Sequence, residues 1–152
     1  GTEVHVYLPI MQETSDPAMP EPVEPIQGGV ERILLVDDEE IVLEVGRAML
    51  ETLGYTVLIA GNGQEAVRSV SEDRDAIDLV VLDMIMPGMN GGEAFDRIRE
   101  INSTLPVILS SGYSRNGQAE RIIRRGCDGF LQKPFNISEL SQKIAEICKR
   151  RT

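Results

Sequence analysis

Four short apolar runs, each followed by a polar residue that can take part in chemistry, constrain this chain more than any other feature. The clearest is Val80–Gly91, VVLDMIMPGMNG, in which an apolar strand pattern ends at Asp83 and a Pro- and Gly-rich loop follows. In open α/β sheets, reactive groups lie just beyond the carboxyl ends of the strands. A lone carboxylate at the end of a buried strand is therefore a candidate functional residue.

A second run has the same design. Ile33–Val36 is apolar, and Asp37 and Asp38 follow it directly. If the two strands are neighbours in a parallel sheet, Asp37, Asp38 and Asp83 meet at one edge. Like charges so close together are unfavourable unless a cation joins them. Ligands that are all oxygen favour a hard cation, and Mg²⁺ is the cation that we expect.

Two more strand patterns end in a hydroxyl and an amine. Residues 106–109 precede Ser110 and Ser111, and the run that ends at Leu131 precedes Lys133. Amphipathic helical patterns alternate with the strands, which predicts βα repeated five times. Such a repeat folds as a parallel sheet with helices on both faces.

At this point the chain resembles a known family, the receiver domain of two-component response regulators, over about residues 31–150. Four motifs carry the resemblance in the right order: LLVDDEE (34–40), VVLDMIMPGMNG (80–91), PVILSSG (106–112) and FLQKPF (130–135). The resemblance implies a flavodoxin-like (βα)5 fold, a doubly wound parallel sheet with strand order 2-1-3-4-5. It also implies Mg²⁺-dependent transfer of a phosphoryl group from a histidine to an aspartate, which switches a partner-binding surface.

The resemblance gives each site residue an expected role. Asp83 is the phosphoacceptor, and Lys133 binds the phosphoryl group. Asp37, Asp38, Asp83 and the backbone carbonyl of Ile85 are the Mg²⁺ ligands. The Lys133–Pro134 peptide bond is expected to be cis, as in the family.

Ser111 and Phe130 match the pair of residues that switches the family's members. Many members carry Tyr where this chain has Phe130, so switching here must depend on packing alone. Ile85 and Tyr113 lie two residues past Asp83 and Ser111, at positions that tune the lifetime of the phosphate. Neither side chain readily positions an attacking water, which predicts slow autodephosphorylation.

The predicted elements set the expected core. Strands are expected at 32–36, 56–60, 79–83, 106–109 and 128–131, and helices at 40–53, 63–71, 92–101, 118–125 and 138–149. In the first helix, the inward stripe is predicted to be Val42, Gly46, Met49, Leu50 and Leu53. Three apolar residues then fall off this stripe near the acidic edge: Ile41, Leu43 and Val45. They form either a wide buried face or, as the family favours, a docking patch for the phosphodonor helix.

The first 29 residues differ in composition from the rest. Residues 1–10, GTEVHVYLPI, are similar to the last strand of a histidine-kinase ATP-binding domain, and residues 11–29 are rich in proline and acidic. We interpret them as a domain remnant and a linker, with the receiver domain at 30–152. The chain is then the C-terminal receiver of a hybrid sensor histidine kinase, and a vector-derived arm is the alternative.

Charge and composition argue against several classes of protein. The formal net charge is −10, which argues against a dedicated nucleic-acid surface. No apolar run approaches the roughly 20 residues that span a bilayer, and no signal-peptide pattern opens the sequence. Cys127 and Cys148 lack metal-site spacing. We expect a cytoplasmic domain without membrane contact, whether or not its parent protein is anchored.

Two other functions are alternatives to that of a phosphoacceptor. A Mg²⁺-dependent phosphohydrolase with an Asp nucleophile usually has a second acid two residues later, where this chain has Ile85. An interaction module that is never phosphorylated would not need Asp83 or Lys133. The expected partner is a histidine kinase or a histidine phosphotransfer domain. Whether the domain forms a homodimer, and whether it counts as an enzyme, stays open.

Overall fold

The computed structural model of the protein describes residues 26–112 and 117–151. Strands and helices alternate along this part of the chain: β1 (Arg32–Val36), α1 (Glu40–Thr52), β2 (Thr56–Ala60), α2 (Gly63–Glu72), β3 (Leu79–Asp83), α3 (Gly91–Ile101), β4 (Val107–Ser111), α4 (Gly117–Arg124), β5 (Gly129–Gln132) and α5 (Ile137–Arg151). The interpretations of residues 1–25 and of Tyr113 lie outside the described residues.

The strands form one parallel sheet in the order β2-β1-β3-β4-β5, which confirms the predicted topology. β3 and β4 are buried along their whole length, and four of the five residues of β1 are buried. Helices cover both faces of these central strands. The strands therefore appear in the sequence as continuous apolar runs. β1 and β3 are direct neighbours, so the residues that follow them leave the sheet side by side.

Two hydrophobic cores lie on opposite faces of the sheet. Leu34, Val80 and Leu82 point toward the core under α2, α3 and α4. Leu35 and Val81 point toward the core under α1 and α5. Side chains alternate between the two faces along each strand, so one strand supplies both cores.

Local sequence signals end and begin three of the described helices. Gly54 follows α1 with a φ of 94°, a conformation that glycine adopts without a steric penalty. The Asn62 side chain accepts a hydrogen bond from the Glu65 N–H at 2.8 Å and caps α2. Asn90 and Glu93 form a reciprocal capping box at α3, directly after the loop that follows Asp83.

The docking patch predicted on α1 is wrong at one of its three residues. Leu43 is only 8% exposed and belongs to the core, so it is not available as a docking residue. A Cβ on Gly46 would lie 2.8 Å from the Leu35 side chain, which shows how closely this side of α1 approaches the sheet. The close approach turns Leu43 inward and leaves Val42 half-buried. Ile41 and Val45 are 74% and 50% exposed.

In residues 26–112 and 117–151, no helix has both the length and the apolar character to cross a membrane.

Gly91 provides a test of how closely α3 packs against the residues at the end of β3. A Cβ at this position would lie 2.4 Å from the Asp83 carbonyl oxygen and 2.6 Å from the Met84 Cα. Backbone atoms cannot turn away as a flexible side chain can. We therefore expect Gly91→Ala to lower the free energy of unfolding by about 1–3 kcal/mol, as overpacking does. Chemical denaturation measures this.

Gly117→Ala is the matched control, because a Cβ there meets no heavy atom within 4 Å. Its free energy of unfolding should stay within about 0.5 kcal/mol of wild type. If Gly91→Ala is as stable as Gly117→Ala, the close packing of α3 against the backbone of Asp83 and Met84 is contradicted.

Candidate functional site

Three carboxylates meet at the carboxyl edge of the sheet, as the sequence predicted. Carboxylate oxygens of Asp37, Asp38 and Asp83 all lie within 4.8 Å of one another. Asp83 is the last residue of β3, and Asp37 and Asp38 follow the neighbouring β1. Asp37 and Asp83 are buried, whereas Asp38 is exposed. The cluster therefore has a closed floor and one side that opens to solvent.

Lys133 brings a positive charge to this cluster. Its Nζ donates a hydrogen bond to Asp37 Oδ2 and lies 3.3 Å from Asp83 Oδ1. The Lys133–Pro134 bond is cis, as predicted. The Lys133 N–H donates to the Ser111 carbonyl at 2.7 Å, which ties the lysine backbone to the end of β4. Lys133 is thus held over the cluster by its backbone as well as by its charge.

The charges of Lys133 and Asp83 each shift the pKa of the other group. Burial lowers the pKa of Lys133, but the hydrogen bond to Asp37 and the charges of Asp83 and Asp37 outweigh it, so the pKa is raised. Burial raises the pKa of Asp83 to about 6, the charge of Lys133 opposes this shift, and the charge of Asp37 adds to it. One ammonium group therefore faces three carboxylates and leaves an excess of negative charge.

The donor set fits a hard divalent cation. All three side chains offer carboxylate oxygens, the ligands that Mg²⁺ and Ca²⁺ prefer. Asp37 Oδ1 also accepts the Glu39 N–H at 2.9 Å, and Asp83 Oδ1 accepts the Ile85 N–H at 3.5 Å. These bonds hold the carboxylates in place before any ligand arrives. The role of the Ile85 carbonyl as a ligand stays a prediction.

Ser111 and Phe130 share one side of the sheet. Ser111 alternates with Val107 and Leu109, whose side chains enter the core under α2, α3 and α4, and Phe130 packs against the same core. Asp83 pairs across the strands with Ser110, which is also buried. Ser111 and Phe130 therefore lie on the same face of the sheet, where Phe130 pairs with Leu109, and Ser110 lies beside Asp83.

Sequence reasoning missed a groove next to the acidic edge. It has a volume of about 470 Å³ and lies between α1 and the segment after β5, and we call it the α1 groove. Its apolar lining comes from six residues: Ile41, Val42, Val45, Met49, Pro134 and Phe135. The signal in the sequence was the spacing of Ile41, Val45 and Met49 at i, i+4 and i+8, which marks one helix face.

The fold and the acidic edge together define a flavodoxin-like α/β domain of the doubly wound class. The family model of the response regulator receiver domain matches residues 33–145. The chain belongs to this family, and it is a receiver domain of the kind found in two-component systems.

Three similar proteins illustrate the relationship. The sensor kinase CckA of Brucella abortus (strain 2308) is 31% identical over 161 residues, which cover 99% of this chain and 17% of that protein. A receiver domain protein from Clostridium thermocellum is 30% identical with a TM-score of 0.77, covering 80% of this chain and 97% of that one. The receiver domain of a sensor histidine kinase from Pseudomonas aeruginosa PAO1 is 31% identical with a TM-score of 0.71, covering 80% and 99%.

The Pseudomonas aeruginosa structure has a magnesium ion coordinated in its active-site cleft. The present chain spans about half the length of the curated response regulators that it matches, and 17% of the sensor kinase.

The acidic cluster predicts a linked effect of charge and metal on stability. Without divalent cations, Asp38→Asn should raise the melting temperature, because it removes one of three like charges. With Mg²⁺ at 100 times its Kd, wild type should gain about 2.7 kcal/mol, and Asp38→Asn should gain much less. Thermal denaturation with and without MgCl2 measures both effects.

Glu44→Gln is the matched control, since it removes an exposed acid of α1 that is not part of the cluster. It should respond to Mg²⁺ as wild type does. An equal response of Asp38→Asn and wild type would contradict the assignment of Asp38 to a cation site.

Proposed function

We propose that this domain accepts a phosphoryl group from a phosphohistidine onto Asp83 in a Mg²⁺-dependent reaction. The observation that carries the proposal is the acidic cluster with Lys133 beside it, at the carboxyl edge of the sheet. A carboxylate oxygen of Asp83 forms a bond to phosphorus as the P–N bond to histidine breaks, and the histidine nitrogen leaves with the electron pair.

Each neighbour of Asp83 has a task in this reaction. Asp37 and Asp38, with Asp83 and the Ile85 carbonyl, would hold Mg²⁺, and the fit of the three carboxylates supports this assignment. The bound cation supplies positive charge that offsets the carboxylates and the phosphoryl oxygens. Lys133 lies 3.3 Å from Asp83 and can move its ammonium group onto a phosphoryl oxygen.

The response to phosphorylation is assigned to Ser111 and Phe130. The Ser111 hydroxyl would bond a phosphoryl oxygen and draw the end of β4 inward, and Phe130 would follow by repacking. Their common side of the sheet supports this pairing. Phe130 has no hydroxyl, so its two positions differ only in packing.

The donor is proposed to dock on α1. Ile41 and Val45 are exposed apolar residues of α1, and Ile41 directly follows Glu40, the acidic first residue of the helix. Exposed apolar patches of this kind mark interaction sites. The expected partner is the helix that presents the phosphohistidine of a histidine kinase or a histidine phosphotransfer domain. Leu43, which is buried, has no part in this surface.

We further propose that the domain belongs to a hybrid sensor histidine kinase and follows its ATP-binding domain through the linker at residues 11–29. The alignment with CckA of Brucella abortus supports this, because it covers 99% of the chain and so includes nearly all of the segment before the receiver domain.

Phosphorylation is tested by intact-mass spectrometry with a small phosphodonor, acetyl phosphate. Wild type should gain the mass of one phosphoryl group in the presence of Mg²⁺ and none in EDTA. Asp83→Asn keeps the size of the side chain but lacks the nucleophilic oxygen, so it should gain none. An adduct on Asp83→Asn, or a wild-type adduct that is independent of Mg²⁺, would contradict the proposal.

The lifetime of the aspartyl phosphate tests the role of Ile85. This side chain is 52% exposed two residues past Asp83, where it can shield the phosphoryl group from water. Ile85→Ala should shorten the half-life several-fold, measured by loss of the mass adduct after the donor is removed.

Ile59→Ala is the matched control, because Ile59 is 48% exposed on the edge strand β2, away from the cluster. Its half-life should equal that of wild type. Equal half-lives for Ile85→Ala and Ile59→Ala would rule out shielding by Ile85.

A further inference from the structure

A second cavity lies on the face of the sheet opposite to the α1 groove. It is bounded by α4, the first turn of α3 and the loop after β3, and we call it the α4 pocket. Its volume is about 330 Å³, near the lower end of the range for sites that bind small molecules. None of the three carboxylates of the acidic cluster lines this pocket. The proposed phosphoacceptor reaction therefore leaves its side chains without a task.

The floor of the α4 pocket is apolar. Met84, Met86 and Ile122 line it, and each of them is at most 6% exposed. All three belong to the core under α2, α3 and α4, so their packing against that core holds them in place. Methionine sulfur makes favourable contacts with aromatic rings. This floor therefore suits a small apolar or aromatic group.

Two arginines of the α4 region bring positive charge to the same pocket. Arg121 and Arg125 both line it, and both are exposed. They are four residues apart, and the Arg125 N–H donates to the Arg121 carbonyl at 3.2 Å, as in a helix. Side chains at this spacing share one helix face, where like charges destabilise the helix. An anion bound between the two guanidinium groups would offset their repulsion.

Both arginines have donors that a ligand could use. Arg125 Nη1 donates to the two carboxylate oxygens of Asp96, at 2.7 and 2.5 Å, and Nη2 takes no part in this contact. A Cβ on Gly92 would lie 3.6 Å from Arg125 Nη2 and 3.3 Å from Ile122 Cδ1, so a larger residue would fill the space between this donor and the floor. The Arg121 side chain has no hydrogen bond or ion pair in the part of the chain that the structure describes.

We propose that the α4 pocket binds a small organic phosphate, with the phosphate between Arg121 and Arg125 and an apolar or aromatic body on Met84 and Met86. A phosphate monoester has three terminal oxygens, so it can accept hydrogen bonds from two guanidinium groups at once, whereas a carboxylate matches one. Even with Asp96 included, the pair of arginines leaves one positive charge in a chain whose formal net charge is −10.

A titration with phenyl phosphate tests the proposal on the full ¹⁵N-labelled chain. EDTA is present so that no divalent cation can hold phosphate at the acidic cluster, and the ionic strength is kept constant. The amide signals of Gly92 and Ile122 should shift in a saturable way, whereas that of Val45 in α1 should not. Inorganic phosphate lacks the apolar body and should bind several-fold more weakly. No saturable shift, or equal binding of the two phosphates, would overturn the proposal.

Two variants separate a site from general attraction to a basic helix. Arg121→Gln removes one of the two guanidinium groups and should raise the Kd of phenyl phosphate about tenfold. Arg124→Gln is the matched control, because it removes the same charge from the same helix at an exposed residue that does not line the pocket. Its Kd should stay within about twofold of wild type. Equal weakening by the two variants would overturn the assignment of the phosphate to the pocket.

This titration uses unphosphorylated protein without Mg²⁺, so its outcome does not depend on phosphoryl transfer. Failure of Asp83 to accept phosphate would overturn the proposed function and leave the α4 pocket as a binding site. Failure of phenyl phosphate to bind would overturn the assignment of the α4 pocket and leave the proposed function unaffected.

Discussion

The contact of the Lys133 ammonium group with the carboxylates of Asp37 and Asp83 holds the functional edge of this domain together. Asp37 follows β1, Asp83 ends β3 and Lys133 follows β5, and β5 is not a neighbour of either other strand. The lysine must therefore reach past the end of β4, where Ser110 and Ser111 are small enough to leave room. Buried carboxylates are costly when unpaired. This contact makes a cluster with an excess of negative charge tolerable, and that excess favours the binding of a cation.

The order of elements and the bounds of most strands could be predicted from alternating apolar runs, because central strands covered on both faces are continuously apolar. The strand order itself came from the family resemblance. The face of α1 could not be predicted fully, because Val42 and Leu43 fit the helical spacing of Gly46 and Leu50 almost equally well. The contact of Gly46 with Leu35 decides between them, and such a contact has no signature in a single sequence.

The functional site, too, could be predicted only in part from the sequence. Asp37, Asp38 and Asp83 could be predicted to meet, since the carboxyl ends of neighbouring parallel strands share one edge. The α1 groove could not, because its walls come from α1 and from the segment after β5, which are distant in sequence. Met49, predicted to point inward, packs against the core under α1 and α5 and also lines that groove. Which surface segments lie side by side depends on tertiary packing. The end of a buried strand, in contrast, is visible in the sequence as an apolar run that stops at a polar residue.

Alternation along the strands gives the two faces of the sheet different tasks. Asp83 alternates with Leu79 and Val81, whose side chains face α1 and α5, and the α1 groove lies on that side. Ser111 and Phe130 face the other core, under α2, α3 and α4. Under the proposed function, a donor docked on α1 would approach Asp83 from the face that carries the α1 groove, whereas Ser111 and Phe130 would respond from the other face. Ser111, whose hydroxyl would bond the new phosphate, is the last residue of β4, so the two faces would be linked at the carboxyl edge of the sheet.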